Sequence, residues 1–579
     1  MLIKRIIFTG LILCLFFSIV KTASSDENIS ESIVIQKLIA SINNFETNFH
    51  NSDKIDSSDF NKGIDNFNRL IELYTSFATQ YPDSNFQQKA FIYLEKKKNL
   101  MLLDILNNTS NTTHFTNGEK EASVIQILND SSKVSEVGRN LFFFMKQPVD
   151  IADLQKNFLD DHDVILDFWI QKEKIFVFML TKDSLQIVHW EVPTSQVKTK
   201  INTLISPFFD NVDLLRLEFD SQIAYLLYQY LFQPLEKHIN PYKVLYIIPD
   251  NFLIGFPFEL LVTDTTIHKK QKNKIFYHRY SFLYYLIKKY AISYNYSTAI
   301  FALEKGLDRT TNKLGRRLLT MSEPFIPPGT DEFIERIGNL SSYKLELSDY
   351  STDEIKRISR LLFRHDNLKG KQATKSYLFE NGHTYRWLYF ALPGILDNSN
   401  PLNSGLLFAP ETNDSLSRSN WLLVHESMQS ILSADLLTLS ASQVMQFNTE
   451  GNPGVIALPQ SFLFSGVKSM LFSLWRINSI STSQFMSKFY WELKYKRQTN
   501  ALALQEAKVA SMKDTFTFKG KEISRAHPYF WATFQLIGNP KIRPPSPNKI
   551  PPSGVIIMVY VIVIAVSLYI TRKTLPGRK

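Results

Sequence analysis

The groups that could attack or shuttle a proton are few in this chain. Its 579 residues hold one cysteine, Cys14, inside the apolar run from Ile6 to Val20. Once that run is removed, no thiol remains. Disulfides, thiolate metal sites and a cysteine nucleophile are then excluded together. Histidine supplies the imidazoles, and His365, His383, His425 and His527 fall in the later part of the chain. The sequence carries no glycine-rich phosphate loop, no GxGxxG, no HExxH and no paired Cys/His metal spacing. No cofactor and no metal is expected.

The elements that must position these groups change character along the chain. Residues 31–106 read as helices: Phe67, Leu70, Ile71, Leu73 and Tyr74 share one face. Tyr81-Pro82 breaks the run, and Ala90 to Leu106 resumes it, in the manner of a worn tetratricopeptide hairpin within a helical region spanning 28–120. Lys96-Lys97-Lys98, the longest internal basic run, reads as a solvated helix surface, and no nucleic-acid partner is expected. Within 140–235, Val164–Trp169, Ile175–Leu180 and Leu185–Trp190 predict a β-meander, and Val197–Phe208 and Leu214–Leu235 predict helices.

From residue 236 to 542 the pattern becomes α/β. Strands are expected at Lys243–Ile248, Ser297–Leu303, Arg386–Leu392, Asp435–Leu439 and Ser469–Trp475. Helices are expected at 280–290, Glu354–Phe363, Thr374–Glu380, from Pro459, Ser481–Tyr495 and Ala501–Met512. Such alternation predicts a parallel sheet flanked by helices.

Both ends carry targeting features. Lys4 and Arg5, the apolar run and the small residues Thr22 to Ser24 form a signal peptide over 1–23. A Pro-rich linker, 543–553, leads to an apolar stretch, Gly554 to Ile570, which covers about 25 Å as a helix. That length predicts a C-terminal transmembrane helix, followed by a basic cytoplasmic tail, 571–579, so that the bulk of the chain lies outside the cytoplasm. The net charge is +10. Sequons stand at Asn28, Asn107, Asn108, Asn111, Asn129, Asn295, Asn339 and Asn413. They would be glycan sites only in a eukaryotic secretory chain.

Several motifs follow one another in an order that resembles a known family. Val244 to Leu261 (VLYIIPDNFLIGFPFELL) opens the series, and Ala373-Thr-Lys375 precedes a helix. Leu388 to Gly394, then Pro401, Ser404 and Leu406, then Leu439-Ser440-Ala441 follow. Phe462 to Gly466, Ser473-Leu474-Trp475, Phe489-Tyr490, His527 to Ala532 and Gly538-Asn-Pro540 complete it. Over about residues 85 to 542 the chain resembles the CHAT-domain family, caspase-like modules often found beside tetratricopeptide repeats. The resemblance implies a caspase-like α/β fold with the chemistry of a cysteine peptidase, a thiolate attacking a carbonyl while an imidazole moves the proton.

The same resemblance implies that both catalytic positions are lost here. Where the family's His ends its strand, this sequence has Pro393; where the Cys follows its strand, it has Ser442. His383 precedes Pro393 by ten residues, roughly 30 Å along a strand and at its other end. His365 and His383 are expected at the surface, and His527 as a cap beside Pro528. His425 is the remaining imidazole for a relocated base. A membrane-anchored pseudopeptidase that binds a protein or peptide without cutting it is therefore expected. The alternatives are a hydrolase using Ser442 with a relocated base, and a structural membrane protein with a collapsed cleft. Composition and domain order resemble bacterial envelope members of the family, which implies a bacterial inner membrane with the bulk facing the periplasm. A eukaryotic type I membrane protein carries the same physical signals.

Overall fold

The computed structural model describes residues 33–51, 56–82, 84–107, 136–209, 212–239, 243–264, 275–302, 318–326, 351–361, 365–395, 404–411, 420–440, 457–475, 477–544, 558 and 560–567. The expected signal peptide with Cys14, the linker after Pro544, about half of the membrane span, the basic tail and Ser442 lie outside them.

Three helices open the described chain: α1 (Ile33–Asn51), α2 (Ser57–Gln80) and α3 (Phe86–Asn107). Asp56 caps α2 by accepting the Ser58 N–H, and Phe67, Leu70, Ile71, Tyr74 and Ala78 form its buried stripe. The expected break at Tyr81-Pro82 separates α2 from α3. However, α3 does not stand apart as a module: its Phe91 ring lies 6.0 Å from Phe178 in the meander.

The solvated reading of the lysine run is overturned. Lys97 and Lys98 are 3% and 6% exposed. Lys98 pairs with Asp167 and donates to the Phe168 carbonyl at 2.9 Å. Lys97 donates to Asn68 at 3.2 Å. Asp167, in the sheet and 69 residues further along the chain than Lys98, converts a surface-like run into a joint.

The meander forms as expected, as β1 (Asp163–Gln171), β2 (Lys174–Leu180) and β3 (Leu185–Glu191), with Lys172 at φ 49° in the first turn. It is not a separate unit, because β1 pairs in parallel with β4 (Val244–Ile248). Also in the main sheet are β5 (Ala291–Tyr294), β6 (Leu318–Pro324), β7 (His365–Gly370) and β8 (Trp387–Ala391). Short strands β9 (Gly394–Ile395), β10 (Gly405–Leu407) and β11 (Trp421–Leu423) make a separate sheet. β12 (Leu436–Leu439) and β13 (Ser469–Ser473) return to the main sheet, a hairpin of β14 (Thr515–Phe518) and β15 (Lys521–Ser524) follows, and β16 (Phe534–Gly538) closes it.

The eleven-stranded order is β3-β2-β1-β4-β5-β16-β13-β12-β8-β6-β7. The sheet is mixed, which corrects the parallel expectation. β1, β4, β5 and β16 run one way, and β13, β12, β8, β6 and β7 the other, meeting at the antiparallel β13/β16 pair. The closing motif makes this seam. Gly538 has φ 87°, and a Cβ there would lie 2.4 Å from the Lys468 carbonyl. Asn295 bonds the Gly538 N–H at 3.0 Å and its carbonyl at 3.2 Å. This sequon asparagine is 1% exposed and spent on the seam, so the folded chain offers no glycan site there.

Other boundaries moved for identifiable reasons. The strand expected at Ser297–Leu303 is instead β5, followed by a 3-10 turn at Thr298–Ala302, because Ser297 and Thr298 bond Glu95. Residues 280–290 hold two 3-10 turns rather than a helix. The helix expected from Leu214 starts at Ser221, where Asp220 caps it, and ends at Leu231 ahead of Pro234. Along β8 the side chains alternate. Tyr389 meets Tyr490 of the helix Ser479–Trp491 at 6.0 Å, and Phe390 meets Phe462 of the helix Ala457–Phe464 at 6.4 Å. Helices therefore cover both faces.

At the C-terminal end, residues 558 and 560–567 are helical, and their large apolar side chains are 51–65% exposed. Among the described residues no helix is long and apolar enough to cross a membrane.

Candidate functional site

β8 and β12 are parallel neighbours in register, Phe390 opposite Leu439, and both finish at one edge of the sheet. Leu388, Phe390, Leu437 and Leu439 are all fully buried, which fixes where the two strands end. Pro393 follows β8, buried, and its carbonyl accepts the Leu407 N–H at 2.8 Å. The next residue opens the small sheet, where Gly394 opposes Leu406. Pro393 carries no group that can take or give a proton, and the register of this turn depends on its backbone. Ser440 follows β12, and its N–H bonds the Phe390 carbonyl at 2.9 Å.

The titratable group at this edge is one that sequence reasoning missed. Glu354 lies on the helix Ser351–Leu361 and is 3% exposed. Its Oε1 accepts from Ser440 Oγ at 2.8 Å and from the Tyr389 hydroxyl. Burial pushes its pKa to about 8, with the Ser440 hydrogen bond pulling slightly the other way. Near neutrality, then, this carboxyl holds its proton. One signal was present in the sequence: Glu354 stands four residues before Ile358, on the helix's apolar face.

The histidines are dispersed. His383 is exposed in a turn before β8, at the opposite end of that strand from Pro393. His365 opens the edge strand β7 and is exposed. His425 is half-buried in the helix Val424–Gln429, just past β11. The small sheet pairs Leu423 with Gly405 and Gly405 with Ile395, so β11 lies two strands, roughly 10 Å, across from β9.

His527 is the expected cap: its Nδ1 accepts the Tyr529 N–H at 3.1 Å. Rings of Tyr277 and Tyr280 pack against it at 4.7 and 4.9 Å. Burial, with a smaller contribution from the Arg279 charge, lowers its pKa to about 3, so it stays neutral. Nearby, a cavity of about 430 Å³ is lined by Glu218, Phe219, Asp220, Arg279 and Tyr280 among others. None of the residues singled out in the sequence lines it.

A model of the CHAT domain matches residues 222–539. The chain belongs to the CHAT-domain family. The matched stretch begins after the meander, although β1 of the meander is hydrogen-bonded into the CHAT sheet. Two solved structures of the Saccharomyces cerevisiae separase–securin complex are similar to this CHAT protein, at 11% and 9% identity with TM-scores of 0.39 and 0.42. Each comparison covers 89% of this chain and 41% of the solved one, so this chain spans less than half of that length. Among curated proteins, none matches.

Proposed function

We propose that this CHAT protein is a membrane-tethered, caspase-like module that binds a protein or peptide without cutting it. The observation that carries the reading is Pro393. The turn where the family resemblance implies a catalytic imidazole is a buried proline, its carbonyl committed to the Leu407 N–H. Ser442, at the implied nucleophile position, has a hydroxyl that needs an adjacent base to attack. His383 is at the far end of β8, and His527 is neutral and caged. The tether is the apolar stretch Gly554 to Ile570 behind the Pro-rich linker, long enough at about 25 Å to approach the hydrocarbon thickness. A leading apolar run with a basic start places the folded bulk outside the cytoplasm.

One observation favours the rival, a hydrolase with a relocated base. Glu354 bonds Ser440, two residues before Ser442, and its proton affinity falls near neutrality, where a general base works best. The two readings separate in one experiment. Full-length protein is incubated with a combinatorial peptide library and, in parallel, with a fluorophosphonate serine probe. Peptides retained without new termini, and no labelling, are the expected result. Cleavage lost in Ser442→Ala or Glu354→Gln would establish the hydrolase instead.

A further inference from the structure

The helix Ser479–Trp491 continues into a wider, π-type turn, Glu492–Lys496, a local geometry found disproportionately at functional positions. Two aromatic rings stand out from it into solvent, Trp491 at 41% and Tyr495 at 54% exposure, with centroids 5.8 Å apart. Lysines lie over both: Lys496 Nζ is 5.5 Å from the Trp491 ring and Lys494 Nζ 5.0 Å from Tyr495. Arg497 ends the turn in the left-handed region at φ 56°, which a side chain rarely adopts. Its guanidinium reaches the Pro544 carbonyl at 3.3 Å. Lys494 also bonds the Leu361 carbonyl, joining the patch to the end of the helix that bears exposed Arg360. Two carboxylates lie close by: Glu492, bonded by Gln498 and with its pKa raised chiefly by burial, and exposed Glu506. The cations outnumber them.

We propose that this aromatic and basic face rests on an anionic lipid surface. The occupant follows from where the chain goes. Pro544, held by Arg497, stands ten residues before Gly554, where the apolar stretch begins. A linker of that length reaches at most about 35 Å, so the end of the domain near Pro544 stays close to any bilayer that takes up that stretch. Tryptophan and tyrosine favour the headgroup level, where a ring is buried and its polar tip stays wet, and lysine and arginine there attract anionic headgroups. The proposal rests on the membrane-tether reading above and adds an orientation: the face with Trp491 is turned to the lipid.

Full-length protein reconstituted into phosphatidylcholine vesicles, with or without phosphatidylglycerol, tests this through quenching by brominated lipid. Five of the seven tryptophans are buried and Trp190 is half-buried, so shallow quenching reports chiefly Trp491. Quenching is expected in anionic vesicles, weaker in neutral ones, reduced several-fold by Lys496→Glu and lost in Trp491→Phe. A chain that resists carbonate extraction but shows the same unquenched indole in both vesicles overturns the proposal and leaves the tether intact. A chain extracted by carbonate overturns the tether. Flotation then decides the face: co-flotation with anionic vesicles alone upholds it, and no co-flotation sinks it.

Discussion

In the middle of β1, Asp167 is buried beside Glu95 and two lysines. At the carboxyl ends of β8 and β12, which run opposite to β1 in the same sheet, Glu354 is buried beside two hydroxyls. Burial raises the pKa of both Asp167 and Glu354. Their partners differ. Burial raises the Asp167 pKa, the nearby Glu95 raises it further, and Lys98, paired with it, pulls the other way. Glu95 in turn accepts from the Thr298 N–H at 2.7 Å and from the Ser297 hydroxyl at 3.0 Å. Among the described residues Glu354 has no cation against it, and neutral hydroxyls hold it. The first arrangement is a fixed joint between the helices and the sheet. The second is a tie whose strength depends on pH, placed beside the strand ends where the family resemblance implies catalysis.

The largest expected effect breaks the joint. Lys98→Met removes the cation facing Asp167 and leaves a buried charge unbalanced, costing about 3–5 kcal/mol. Urea denaturation of the full chain measures it, and adding Asp167→Asn in the same background recovers part of the loss. A variant that unfolds at the wild-type midpoint would mean that the buried pair adds nothing. The same joint makes removal of everything before residue 120 destructive, because α3 supplies Glu95, Lys97 and Lys98 to the sheet.

The tie should show in a pH profile. Glu354 takes up its proton near pH 8 in the fold, against a usual value of 4.5. Between those values the folded state binds the extra proton. Its contribution to stability is therefore complete below 4.5 and is lost as pH rises toward 8, at no more than about 1.4 kcal/mol per pH unit. Glu354→Gln keeps an oxygen for Tyr389 and Ser440 but cannot ionise, so stability measured from pH 5 to 8 should lose that slope. An unchanged slope would mean that the carboxyl is ionised in the fold.

The contrast between the two buried carboxyls also marks what a sequence can reveal. Strands β4, β8, β12 and β13 were legible as continuous apolar runs, and the α2 stripe as a helical period, because burial of local runs leaves a local pattern. The position of Pro393 at the end of β8 followed from the same pattern. The joint was not legible. Lys97 and Lys98 look like surface residues until strand β1 and α2 supply Asp167 and Asn68. Nor was the direction of β16, which depends on Gly538 fitting against the Lys468 carbonyl rather than on any periodicity. β7, His365–Gly370, alternates between exposed and half-buried positions and is too polar to stand out as a strand. Glu354 was assigned to a helix, but its hydroxyl partners arrive from β8 and from the end of β12, 35 and 86 residues later.

The smallest effect is the most discriminating. Ser440→Ala removes one of the two hydroxyl donors to Glu354 Oε1 and should cost about 1 kcal/mol. The hydrogen bond from Ser440 favours the charged carboxylate, so its loss lifts the Glu354 pKa further above 8. The stability slope should therefore persist to higher pH than in wild type, although the protein is weaker throughout. A purely structural hydroxyl, one that fills space without touching the carboxyl's charge, would lower stability by the same amount at every pH. The displacement of the slope, read from denaturation midpoints between pH 7 and 10, separates the two. It also gauges how strongly the residue two places before Ser442 is coupled to an acid brought beside it from a helix 86 residues earlier in the chain.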